Sequence, residues 1–125
     1  MKNVLITGGG TGIGRAIARR FVEAGDRVLV CDVDEAALNE AATLIPGLAA
    51  AHCDVTDAID IDRLFATAAD VLGGLDVLVN NVGIGGPTLP ADQLPSADWQ
   101  RVLDVNLTGT FEVTTRAIPL LKASA

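Results

Sequence analysis

Short continuous apolar runs and longer stretches with one apolar face follow each other strictly along this chain. The runs "NVLIT" (3–7), "RVLVCD" (27–32), "LAAAHCD" (48–54) and "LDVLVNN" (75–81) predict strands. Residues 13–24 place Ile13, Ile17, Phe21 and Ala24 on one helix face, with Arg19 and Glu23 as an i,i+4 pair opposite. Gly25-Asp26 supplies the stop. A second helix is predicted from about Asp34 to Leu44, closed by Pro46-Gly47. A third spans 56–74, with Asp57 as its cap and a Gly-Gly stop. After a loop rich in Gly and Pro, a long amphipathic segment runs from Ser96 to about Leu121, where Pro119 should bend or end it.

The resulting β-α-β-α-β-α-β-α pattern specifies a parallel sheet with right-handed crossovers. Residues 1–125 contain no interior linker or repeat and are expected to form a single domain. Half of the chain is hydrophobic, yet aromatic residues make up only 3 % and tyrosine is absent. The core must then come from Ala, Val, Leu and Ile, which suits a sheet covered on both faces.

A formal charge of −7 argues against nucleic acid or an anionic membrane surface as partner. No apolar run approaches the roughly 18 residues of a membrane span. The opening "MKNVLITGGG" is too short a hydrophobic stretch for a signal peptide, so a cytoplasmic location is expected. Cys31 and Cys53 each stand directly before an aspartate at a strand end. They could pair for redox or metal chemistry if the strands adjoin; buried, reduced thiols acting as small hydrophobes are the favoured reading.

Chemistry enters with "TGGGTGIG", where glycines crowd the junction between the first strand and the first helix. A tight turn, a close backbone approach to a pyrophosphate and a close helix–strand packing each require a residue without a side chain. The helix N-terminus then offers free N–H groups and partial positive charge to phosphates. Asp32 ends the second strand, 18 residues after Gly14. A carboxylate there can accept both hydroxyls of an adenosine ribose and would repel a 2′-phosphate. Neither Thr11 in the loop nor Val33 after Asp32 is basic, so NAD is preferred over NADP. Asp34 can serve as the next helix cap, which leaves Asp32 free for that role.

The spacing Thr7-Gly8-x-x-x-Gly12-x-Gly14 resembles the short-chain dehydrogenase/reductase family, as do "CDVTD", "NNVG" (80–83) and "DVNLTGTF" (104–111). The resemblance spans the whole chain. It implies a Rossmann-type doubly wound sheet of strand order 3-2-1-4, truncated after the fourth β-α unit. It also implies a cofactor cradle of Gly8, Gly10, Thr11, Gly12, Ile13 and Gly14, with Asp32 and Val33 at the ribose. Asp54 would meet the adenine amino group, Val55 would line its pocket, and Asn81, Val82 and Gly83 would line the nicotinamide side. Val82 stands where the family usually has alanine. Asn106 would be the active-site asparagine, holding a water linked to the catalytic lysine.

The family's serine and Tyr-x-x-x-Lys have no counterpart here: the only serines are Ser96 and Ser124 and the only lysines Lys2 and Lys122. The expected function is therefore the cofactor-binding portion of an NAD-dependent oxidoreductase acting on an alcohol or carbonyl. Its likeness is greatest to 3-oxoacyl-carrier-protein reductases and small alcohol or sugar dehydrogenases. The alternatives are a catalytically inactive dinucleotide-binding module that associates with another chain, or a fragment without stable function. An open apolar edge on the fourth strand predicts a homo-oligomer or recruitment of another chain.

Overall fold

A computed structural model describes residues 1–125. The elements run β1 (Asn3–Thr7), α1 (Gly12–Glu23), β2 (Arg27–Asp32), α2 (Glu35–Leu44), β3 (Ala49–His52), α3 (Ala58–Leu72), β4 (Val77–Val79), α4 (Ser96–Leu103), a π-helical turn (Asp104–Thr108) and α5 (Gly109–Ser124). All strands are parallel, in the order β3-β2-β1-β4.

Strand alternation sorts the side chains to two faces. Val4, Ile6, Val28 and Val30 pack with Ala18, Leu38 and Ala41, beneath α1 and α2. Leu5, Leu29 and Cys31 pack with Ile61, Leu64, Val113 and Ala117, beneath α3 and α5. With both faces covered, the strands need no polar side, which is why they read as unbroken apolar runs.

Local chemistry sets the element ends. Asp26 N–H reaches the Phe21 carbonyl and Gly25 N–H the Val22 carbonyl, a Schellman closure of α1. Asp34 and Asp57 cap α2 and α3 through bonds from Ala37 N–H and from Ile59 and Asp60 N–H. Arg19 does not pair with Glu23; its guanidinium reaches the Leu44 carbonyl instead.

Two expectations need correction. β3 and β4 are shorter than their apolar runs because each is an edge strand with a ladder partner on one side only. The segment after Ser96 is not one regular helix, and Pro119 does not end it: α5 continues through Pro119 to Ser124. Ala117, Leu120 and Leu121 pack against the sheet face and hold those last turns.

The π turn has a packing cause. Val105, Gly109, Val113 and Ala117 are all buried and recur every fourth residue. At about 100° per residue an α-helix would carry them progressively off the sheet. A wider π turn rotates the chain back and keeps the four in line.

Candidate cofactor site

The C-terminal ends of β1, β2 and β4 and the loop after β3 surround a cavity of about 530 Å³. Its framework depends on Thr7, which is 2 % exposed. The Thr7 hydroxyl accepts the N–H groups of Asn81 at 3.0 Å and Val82 at 3.2 Å, joining the end of β1 to the loop after β4. Asn81 Nδ2 donates to the Gly8 carbonyl at 3.0 Å, and Gly9 N–H to the Cys31 carbonyl at 3.0 Å. The glycine loop is thereby fixed from both neighbouring strands.

Thr7→Val keeps the shape but leaves two part-buried N–H groups without an acceptor. It is expected to destabilise the fold by roughly 2–3 kcal/mol, read from chemical unfolding, with Thr7→Ser restoring most of that.

Two glycines in the loop act by geometry. Gly12 has φ +56°, a left-handed conformation, with nothing within 4 Å of a Cβ built on it. Gly14 has no room: a Cβ would lie 2.4 Å from both the Gly8 carbonyl oxygen and Asn81 Nδ2. The helix that opens here is the one α-helix of this chain whose first turn holds no acidic residue. Thr11 makes no side-chain bond to α1, whereas α2 and α3 each carry an aspartate cap. The N–H groups at the start of α1 thus face the cavity mouth without a protein acceptor, a ready anion site.

Asp32 stands across from them. One carboxylate oxygen accepts Gly10 N–H at 3.1 Å and the other accepts Asp34 N–H at 3.2 Å. Asp54 accepts the Thr56 N–H at 2.9 Å and its hydroxyl at 2.7 Å, while Asp54 N–H donates to Asp60. The Thr56 bonds, helped by the charge of Arg101, hold the Asp54 carboxyl below its ordinary value. A depressed carboxyl stabilises the fold above its unfolded pKa, and the contribution is lost as the pH falls through the folded one. Thr56→Ala should therefore lower the unfolding midpoint at neutral pH, the difference shrinking as the pH falls below the ordinary carboxylate range.

Eleven of the residues singled out in the sequence line this one cavity: Gly8, Thr11, Gly12, Ile13, Asp32, Val33, Asp54, Val55, Asn81, Val82 and Gly83. Gly10 and Gly14 lie behind the lining, packed on Asp32 and on Gly8 with Asn81 respectively. Asn106 also lies outside the lining. Its amide accepts Ile84 N–H and donates to Ile84 O, both at 2.8 Å, and so clamps the loop after β4.

The short chain dehydrogenase family model matches residues 2–125. The chain belongs to the short-chain dehydrogenase family. The chain is 38 % identical over 123 residues to bovine L-fucose dehydrogenase, covering 98 % of the chain and 46 % of that protein. It is 42 % identical over 118 residues to a mitochondrial borneol dehydrogenase from Lavandula x intermedia, covering 93 % and 45 %. A crystal structure of 3-ketoacyl-(acyl-carrier-protein) reductase from Brucella melitensis complexed with NADH superposes with a TM-score of 0.93 at 33 % identity, over 98 % of this chain and 51 % of that one. F189W actinorhodin polyketide ketoreductase with NADPH gives 0.87 at 35 % identity, over 94 % and 46 %. The chain spans about half the length of these relatives.

Thr7, Thr56, Arg101 and Val105 complete the site although their side chains carried no assignment from sequence. The Asp54-x-Thr56 spacing is a local hydrogen-bonding turn and was legible in principle. Arg101 and Val105 reach the cavity only through the packing of α4 and the π turn. The two cysteine thiols are buried and free. The hydrogen bond to Cys53, then burial, pushes the Cys31 thiol well above its ordinary value, the environment of an unreactive thiol.

Proposed function

We propose that this chain is the cofactor-binding portion of an oxidoreductase that uses NAD(H) on an alcohol or carbonyl substrate. The observation that carries the reading is the uncapped start of α1 facing Asp32 across one cavity. The N–H groups of α1 would hold the pyrophosphate, Asp32 the adenosine ribose hydroxyls, and Asp54 with Val55 the adenine. Asn81, Val82 and Gly83 would border the nicotinamide side. The cofactor, when bound, supplies or accepts the hydride.

The preference for NAD rests on Asp32 and on the neutral Thr11 and Val33 beside it. Solved relatives are described with NADH in one case and NADPH in another, so the choice turns on these residues. Asn106 would act on the nicotinamide side, where its clamp on Ile84 shapes the loop.

No helix is long and apolar enough to cross a membrane, and we propose a cytoplasmic location. The unpaired outer edge of β4 favours a second reading, a non-catalytic dinucleotide-binding module whose edge is covered by another chain or another copy.

Trp99, the only tryptophan, sits on α4, the helix that also brings Arg101 to the cavity, and provides the test. Titration with NADH should give saturable energy transfer from Trp99 to the bound dihydronicotinamide, reversed by ADP-ribose. A linear, non-saturating signal would contradict the reading.

A further inference from the structure

Arg101 is the only basic residue among those lining the cavity. It is exposed on α4 and takes part in none of the ion pairs, which involve Arg15, His52, Arg63 and Arg116. One helical turn further on, Val105 is 7 % exposed and lines the same cavity, as does Val55, 6 % exposed, on the loop after β3. Two valines and a guanidinium thus gather beside the Asp54 carboxylate. That carboxylate already has both Thr56 donors, and Arg101 acts on it only through its charge.

A planar cation next to an apolar slot and one anionic acceptor matches the chemistry of a purine. The ring presents a π face to the guanidinium and an exocyclic amino group to the carboxylate. We infer that Arg101 closes the adenine pocket, its guanidinium lying over the purine face with Val55 and Val105 as the apolar walls. The inference rests on the proposed dinucleotide reading and names a further specificity residue within it. Arg101 then contributes to the adenosine end alone. It takes no part in holding a 2′-phosphate or in the nicotinamide chemistry.

The test measures binding of ADP-ribose, NADH and NADPH to the parent chain and to R101A by calorimetry. R101A should bind ADP-ribose and NADH more weakly by the same factor, about 5- to 30-fold, with the ratio of NADH to NADPH affinity unchanged. Its unfolding midpoint without ligand should fall by no more than the small charge contribution of Arg101 to Asp54, whereas a merely structural role would lower the midpoint together with the affinity. R101K, which keeps the charge without the planar fork, is the second variant should R101A not fold. It should bind ADP-ribose about threefold more weakly than the parent. A loss confined to NADPH would make Arg101 a 2′-phosphate contact and overturn the inference. Unchanged ADP-ribose affinity in both variants would overturn it as well. A parent chain that binds neither ADP-ribose nor NADH would instead overturn the dinucleotide reading itself.

Discussion

Asp32→Ala is expected to bind NADH about 100-fold more weakly than the parent chain, while its affinity for NADPH changes by less than about threefold. Two charge-assisted hydrogen bonds to the ribose hydroxyls are worth roughly 3 kcal/mol together, and alanine removes both. For NADPH the same substitution removes a repulsion between the carboxylate and the 2′-phosphate, which offsets the lost contacts.

Asp32 also accepts Gly10 N–H, so part of the alanine effect would come from a looser glycine loop. Asp32→Asn separates the two contributions. Its amide oxygen can still accept from Gly10 but carries no charge, and NADH affinity should fall only about 10-fold. Calorimetric titration of the three proteins with both dinucleotides reads all of this directly. Equal losses for NADH and NADPH would show that Asp32 supports the loop and does not discriminate between cofactors.

The second large effect is expected at Gly14→Ala. The new Cβ would stand 2.4 Å from a main-chain oxygen and from Asn81 Nδ2, and the oxygen belongs to a loop already tied to its neighbours. Neither side can yield without moving Gly8 or the start of α1, so the strain is not relieved by a side-chain rotation. A destabilisation of roughly 2–3 kcal/mol follows, with NADH binding weakened at least about 30-fold because the phosphate-facing N–H groups move with the helix. Gly12→Ala provides the contrast. Open space surrounds that position, so only the left-handed backbone is penalised, by about 1 kcal/mol. Thermal unfolding of both variants should rank Gly14→Ala well below Gly12→Ala. The reverse order would mean that loop conformation, and not the close approach of helix and strand, limits this junction.

The alternation of apolar runs with one-faced segments was enough to place every strand and the first three helices, because the two central strands are buried on both faces and each of these helices has a local stop. Asp34 and Asp57 could be read as caps because capping depends on residues within one turn. The strand order and most of the cavity lining came from motif resemblance. Their spacing in the chain says little about which strand ends meet.

What stayed hidden depends on distant register. Thr7 looks like the last residue of a strand, and its role appears only when β1 lies beside β4 and brings Asn81 within reach. Arg101 reads as an ordinary charged position on an amphipathic helix until α4 is set over the cavity. The π turn leaves a trace in the four-residue recurrence of Val105, Gly109, Val113 and Ala117, a pattern that a regular helix imitates over two turns.

An NAD site built from the uncapped α1 terminus and Asp32 together must discriminate between the two dinucleotides. Calorimetric competition between NADH and NADPH on the parent chain tests it most directly. One site per chain is expected, with NADH bound at least about tenfold more tightly than NADPH. Equal affinities, or tighter binding of NADPH, would contradict it.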